Sequence, residues 1–185
     1  MNTVEYLTEI IKELKESIQL ISEREAENLA NEILKAKKIF VAGAGRSGFM
    51  GKAFVMRMMH MGFDAYVIGE TITPNFTEED LLIVGTGSGE TKTLIPITEK
   101  AKTLGGKIAV VTLSSDSSIG QLADLLVKLP GVKKDQEKAN YKTIQPMGSL
   151  FEQTMLLFYD AVILSIMEKR GLDSGKMYGK HANLE

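Results

Sequence analysis

The chain has 185 residues, 44% of them apolar and 25% charged, and a formal net charge of −2. This is enough for one well-cored domain and too little for two large ones, and the charge excludes a strongly basic nucleic-acid-binding domain. The absence of cysteine excludes disulfides and thiolate chemistry and suits a reducing, cytoplasmic setting.

Residues 2–36 read as two helices. Val4, Leu7, Ile10, Ile11, Leu14, Ile18 and Ile21 recur at helical spacing, and Ala26, Leu29, Ala30, Ile33 and Leu34 follow after a short break. The polar start is unlike a signal peptide, and no apolar run reaches the ~20 residues of a spanning helix, so no membrane association is expected. A strand over Lys38–Ala42 leads into a helix from Ser47 to Met61, which Gly62 is suited to end. The strand Ala65–Ile68 is followed by a loop, Glu70–Glu79, and the strand Leu81–Val84 by a helix from Thr91 to Leu104. Lys107–Leu113 is a strand, Ser114–Ser118 a polar loop, Ile119–Ala123 a short helix and Leu125–Leu129 a fifth strand. Residues 131–145 read as a long irregular stretch, Met147–Arg170 as a long helix and Gly171–Glu185 as a polar tail.

The strands are continuous apolar runs that alternate with helices, the pattern of a parallel sheet covered on both faces. The expected fold is therefore α/β: a doubly wound, five-stranded parallel sheet of flavodoxin-like order, flanked by helices and preceded by the N-terminal pair. Ligands in such folds sit beyond the carboxyl ends of the strands.

Two of those ends carry nearly the same loop. Gly43-Ala44-Gly45-Arg46-Ser47-Gly48 follows the first strand, and Gly85-Thr86-Gly87-Ser88-Gly89-Glu90-Thr91 follows the third. Glycines let the backbone approach a ligand, hydroxyls bind anions, and a helix start presents free N–H groups, so the pair suggests a phosphorylated small molecule held from two sides. Candidate contacts are Gly45, Arg46 and Ser47 in the first loop, and Thr86, Gly87, Ser88, Gly89, Glu90 and Thr91 in the second. Ser114 and Ser115, at the end of the fourth strand, join them. The first loop also fits the dinucleotide pattern G-x-G-x-x-G, with Glu70 about 20 residues on, so a nicotinamide cofactor competes with phosphate-ester binding. Ser88 and Thr91 also suit helix capping. Arg46 either contacts the ligand or pairs with a carboxylate across a subunit boundary, and the residues alone leave both open.

Ser149-Leu150-Phe151-Glu152 has the S-x-x-E pattern of a capping box, the reading the residues alone favour, and the alternative is that Glu152, beside Leu150, Phe151 and Met155, serves as a general base. His60, on a helix apolar around most of its girdle, reads as a packed or interface histidine. Two histidines without cysteine leave little basis for a zinc site, and no acidic cluster points to magnesium.

The two loops, with the Ser114–Ser118 turn in register, resemble the SIS (sugar isomerase) domain family over about residues 30–170. Gln145-Pro146-Met147-Gly148-Ser149-Leu150-Phe151-Glu152 and the tail from His181 to Glu185 are most similar to members that convert 3-hexulose 6-phosphate into fructose 6-phosphate. The resemblance implies a five-stranded parallel sheet and a homotetramer, and it implies a phosphorylated sugar as the partner, with no metal or redox cofactor. It gives Ser47 and Thr86–Thr91 contacts to phosphate ester and sugar, makes Glu152 the base, and makes His181 a histidine able to enter a neighbour's site. Some SIS domains are sugar-phosphate sensors in transcription regulators, but those carry a separate DNA-binding domain, and residues 1–36 are too acidic for one.

Overall fold

The computed structural model describes residues 1–131 and 143–184, so most of the expected irregular stretch 131–145 lies outside the described residues. The chain opens with α1 (Thr3–Ile18) and α2 (Glu23–Lys35). Asn2 and Glu5 form a capping box on α1, and the Ser22 side chain accepts from Glu25 N at the start of α2. Then follow β1 (Ile39–Gly43), α3 (Gly45–His60), β2 (Ala65–Val67), β3 (Leu81–Thr86), α4 (Ile95–Thr103) and β4 (Lys107–Thr112). A 3-10 turn (Gly120–Leu122) precedes β5 (Leu125–Lys128), and α5 (Ser149–Arg170) and α6 (Ser174–Tyr178) end the chain. The five strands are all parallel in the order β2-β1-β3-β4-β5, the doubly wound arrangement expected from the sequence.

Alternation along each strand divides the core in two. Ile39, Val41, Leu81, Ile83, Ala109 and Val111 pack with Leu29, Ile33, Phe54, Met58, Phe151, Met155 and Tyr159 of α2, α3 and α5. Phe40, Ala42, Leu82, Val84, Ile108 and Val110 face the other way, onto Leu94, Ala101 and Ile119. A strand buried on both faces needs apolar residues at every position, which is why β3 has no exposed residue.

Three local differences from expectation stand out, two of them with a clear physical cause. Helix α4 starts at Ile95 rather than Thr91, because Leu94 N and Ile95 N first close a turn onto Thr91 O and Pro96 then sits in the first helical turn. Helix α3 starts at Gly45, two residues before Ser47. The tail contains α6, because the Asp173 side chain accepts from Lys176 N and nucleates one turn. In addition, α5 is long and apolar enough to cross a membrane by length and composition, contrary to the sequence reading, but 56% of its apolar window is buried inside the fold, as in a core helix.

Helix α1 is fastened to the segment leading into α5 by one carboxylate. Glu13 accepts from Thr143 Oγ1 (2.6 Å), Ile144 N (2.8 Å) and Gln145 Nε2 (2.9 Å). Burial pushes its pKa up, but the hydrogen bonds from Thr143, Gln145 and Ile144 and the charge of Lys12 outweigh that and hold it below the ordinary 4.5. A carboxyl with a lowered folded-state pKa adds stability above its unfolded value and loses it as pH falls through the folded one. Glu13→Gln is therefore expected to lower the melting temperature at neutral pH, and the gap from wild type should close on acidification below about pH 4.5. A gap that stays constant down to about pH 3 would show that the carboxylate is not held in this way.

Candidate active site

The strand order reverses between β1 and β3, and the crevice at their carboxyl ends is where a doubly wound sheet takes its ligand. A cleft of about 480 Å³ opens there. Gly45 and Ser47 line it from the first loop, and Thr86, Gly87, Ser88, Glu90 and Thr91 line it from the second. Glu152 enters from the first turn of α5.

In the first loop the end of β1 and the start of α3 are in direct contact. A Cβ on Gly43 would lie 2.9 Å from Gly48 Cα, and one on Gly48 would lie 2.8 Å from Gly43 O, so neither position accepts a side chain without the loop opening. Helix α3 has no side-chain cap, and its first N–H groups have no intrahelical acceptor, so this turn is suited to an anion. Ser47 is buried in the same turn. Glu70, the candidate ribose-binding carboxylate, instead pairs with Lys52 at 3.5 Å.

The second loop is stabilised from within and from behind. Thr86 Oγ1 accepts from Gly89 N (3.2 Å) and lies 3.4 Å from Thr91 Oγ1. Ser88 Oγ accepts from Glu90 N two residues on, so Ser88 forms a local turn and caps no helix. The Glu90 carboxylate accepts from Ser118 N (2.8 Å) and Ser118 Oγ (2.7 Å). Gly87 O and Gly89 O accept from Leu113 N and Ile119 N. Ser114 and Ser115 are not among the residues lining the cleft: Ser114 is buried, its carbonyl accepting from Ser117 Oγ (2.7 Å), and Ser115 is exposed. The serine turn is thus a brace for the second loop.

Glu152 is 3% exposed. Its carboxylate pairs with Arg46 Nε at 3.0 Å, and Arg46 also donates through a terminal nitrogen to Ser149 Oγ at 3.1 Å. The capping box suggested by Ser149-Leu150-Phe151-Glu152 does not form, because the N-cap of α5 is Gly148 and Ser149 is the first helical residue. Arg46 does have a carboxylate partner, but within its own chain rather than across a subunit boundary.

His181 lies elsewhere. Its ring stacks on His60 at 5.3 Å and on Tyr178 at 6.0 Å. His60 is the last residue of α3, whereas the cleft is at the first, about 20 Å away at 1.5 Å per residue. One chain therefore does not bring His181 and Glu152 together. Burial, then the charges of Arg57 and His181, push the His60 pKa below its ordinary 6.5. Sequence reading also missed Ala44, Gly85, Leu113, Gly148 and Phe151 in the cleft wall. Leu113 and Phe151 look like core residues in sequence, and only their adjacency to Ser114 and Glu152 hinted at the site.

Gly89 is where the loop and its brace touch most closely. Its φ is +68°, and a Cβ there would sit 1.8 Å from Ser117 Oγ and 2.4 Å from Ser117 Cβ. Gly89→Ala is expected to cost about 1–3 kcal/mol in urea denaturation from the backbone strain. Adding Ser117→Gly should recover the steric part and leave the backbone part. If the single variant is as stable as wild type, the loop is not braced in this way.

Comparison with known proteins agrees with this geometry. A family model described as SIS domain matches residues 32–157. The 3-hexulose-6-phosphate isomerase of Bacillus subtilis (strain 168) is 59% identical over 185 residues, covering 100% of both chains. A protein of the same name from Methanocaldococcus jannaschii is 40% identical over 158 residues, 85% of this chain and 83% of that one. A crystal structure of a hypothetical protein from Methanococcus jannaschii, from which a 3-hexulose-6-phosphate isomerase function was inferred, has a TM-score of 0.81 at 35% identity and covers 100% of both chains. With the family model spanning more than half of the chain and a relative this similar along its full length, the protein belongs to the SIS domain family.

Proposed function

We propose that this chain is an isomerase that converts 3-hexulose 6-phosphate into fructose 6-phosphate through an enediol. The observation that carries the reading is the cleft itself: a buried carboxylate faces two hydroxyl-rich glycine loops, in a chain 59% identical along its full length to a relative named for this activity. Ser47, Thr86, Ser88 and Thr91, with N–H groups of Gly45 and Gly87, hold the phosphate ester and the sugar hydroxyls. Gly89 and Glu90 keep the second loop in place through Ser117, Ser118 and Ile119, and Ser114 orders that turn by accepting from Ser117 Oγ.

The reaction moves a carbonyl from C3 to C2. Glu152 takes the proton from C2, the C2–C3 enediol forms, and the same carboxyl returns a proton at C3. A second proton passes from the oxygen on C2 to the oxygen on C3, so atoms and charge balance and the chemistry calls for no metal or redox cofactor. General catalysis by the base contributes on the order of 10²–10⁴-fold, and phosphate held away from the reacting carbons supplies orientation. His181, docked a helix length from Glu152 in its own chain, serves the oxygen-to-oxygen transfer from a neighbouring copy.

That shared site goes with a homotetramer. Val4, Leu7, Ile11 and Ile18 form an exposed apolar stripe on α1, and Phe49, Met56 and Met59 another on α3. Contiguous apolar surface of this kind marks an interaction face. The protein is proposed to be soluble and cytoplasmic, with no nucleic-acid or membrane partner. A sensor role has less support, because α1 and α2 pack against α5 of the same domain rather than forming a separate DNA-binding unit.

Assay against a panel of ketose and aldose phosphates tests the substrate, and 3-hexulose 6-phosphate should give the highest kcat/KM. Glu152→Gln preserves shape but cannot accept the carbon-bound proton. Turnover and solvent-deuterium incorporation into the product are expected to fall together by about 100-fold or more. Near-normal turnover in Glu152→Gln would place the base elsewhere. Light scattering should give four times the chain mass, and a monomer at micromolar concentration would remove the basis for a shared site.

A further inference from the structure

We infer that Arg46 is the positioning residue of the base: it orients and charge-balances the Glu152 carboxylate and acts through Glu152 rather than on the substrate. The inference rests on the isomerase reading above and adds to it a residue whose role the loop pattern alone left open.

Four observations support it. The guanidinium holds two residues of α5 at once, Nε against Glu152 at 3.0 Å and a terminal nitrogen against Ser149 Oγ at 3.1 Å. Positions 149 and 152 are three apart on one helix and so share a face, which a planar fork can span and a lysine's point charge cannot. The pair is also asymmetric: the Glu152 side chain is 4% exposed and that of Arg46 53%. A carboxylate buried to this degree is costly without a counter-charge, whereas an exposed guanidinium is not, so the carboxylate depends on the arginine and the reverse does not hold.

Third, Arg46 stands in the first turn of α3, at the positive end of the helix dipole. A cation is unfavourable there, and the position is explained by the carboxylate opposite it. Last, although its neighbours Gly45 and Ser47 line the cleft, Arg46 does not. Its guanidinium is directed at Glu152 and Ser149 of α5.

A double-mutant cycle tests this with the full-length protein. Arg46→Gln is expected to lower kcat about 10- to 100-fold with KM within about 2-fold of wild type. In the Glu152→Gln background, the same change should cost no further turnover, because the group it acts through is gone. Arg46→Lys, which keeps the charge but not the fork, should fall between wild type and Arg46→Gln. Calorimetric titration with fructose 6-phosphate should give the same affinity for wild type and Arg46→Gln, and a thermal melt of each variant identifies any that fail to fold. Should Arg46→Gln unfold, Arg46→Lys carries the same cycle. A rise in KM, or weaker product binding, in both backgrounds would overturn the inference and make Arg46 a substrate contact. Turnover absent from wild type on every sugar phosphate would overturn the isomerase reading, and the base-positioning inference with it.

Discussion

Burial of a parallel sheet on both faces is the constraint from which the rest of this molecule follows. A parallel strand cannot turn back on itself, so each must be followed by a crossover, and all five carboxyl ends emerge on the same edge. Because β1 and β3 are neighbours and their crossovers leave in opposite directions, a gap remains between the loops that follow them. Both of those loops are glycine-rich, and α5, packed across the α3 side of the sheet, places its first turn over the same gap. The cleft is therefore a product of topology, and the side chains lining it decide what it can do.

Those side chains are held largely by groups behind the cleft wall. The second loop is fixed by hydrogen bonds from Leu113, Ile119 and Ser118, and by the close fit of Gly89 against Ser117. The first is fixed by the contact between Gly43 and Gly48. Helix α5 is fixed at its start by the segment that Glu13 secures, where Met147 adopts a φ of 55° just before the helix begins. Such rigidity is useful to a proton-transfer site, in which the base must lie within hydrogen-bond reach of one carbon-bound proton and then of its neighbour.

The outside of the fold is unusually apolar at two places, along α1 and along one side of α3. Helix α1 rests on α5 with its own hydrophobic residues only partly covered, and an apolar cavity of about 310 Å³ lies among α1, α2 and α5. The docking of His181 against His60 belongs to this same outer region, at the far end of α3 from Glu152. These apolar faces and the docked tail are the features on which the proposal of a site shared between copies rests.

Much of the fold was legible in the amino-acid sequence because its signals are local. Continuous apolar runs marked strands buried on both faces, 3.6-residue periodicity marked α1 and α2, and the paired glycine loops marked the strand ends between which the cleft opens. The position of Glu152 just inside α5 was equally plain, since Gly148-Ser149 breaks the chain before a long apolar helix. What the sequence did not carry were relations between distant residues. Arg46 and Ser149 are 103 positions apart, and nothing in either segment states that a guanidinium would meet that hydroxyl and the carboxylate beside it. The serine turn looked like a ligand loop because its residue types suit both tasks, and only the pairing of β4 beside β3 set it against the second loop. That His181 docks on His60, a helix length from Glu152, was equally illegible, because spacing along a chain says little about distance in space. Local conformation follows from short-range sterics and hydrogen bonding, which neighbouring residues encode. Which distant groups meet depends on how helices stack across the sheet, and that is decided only when the whole core packs.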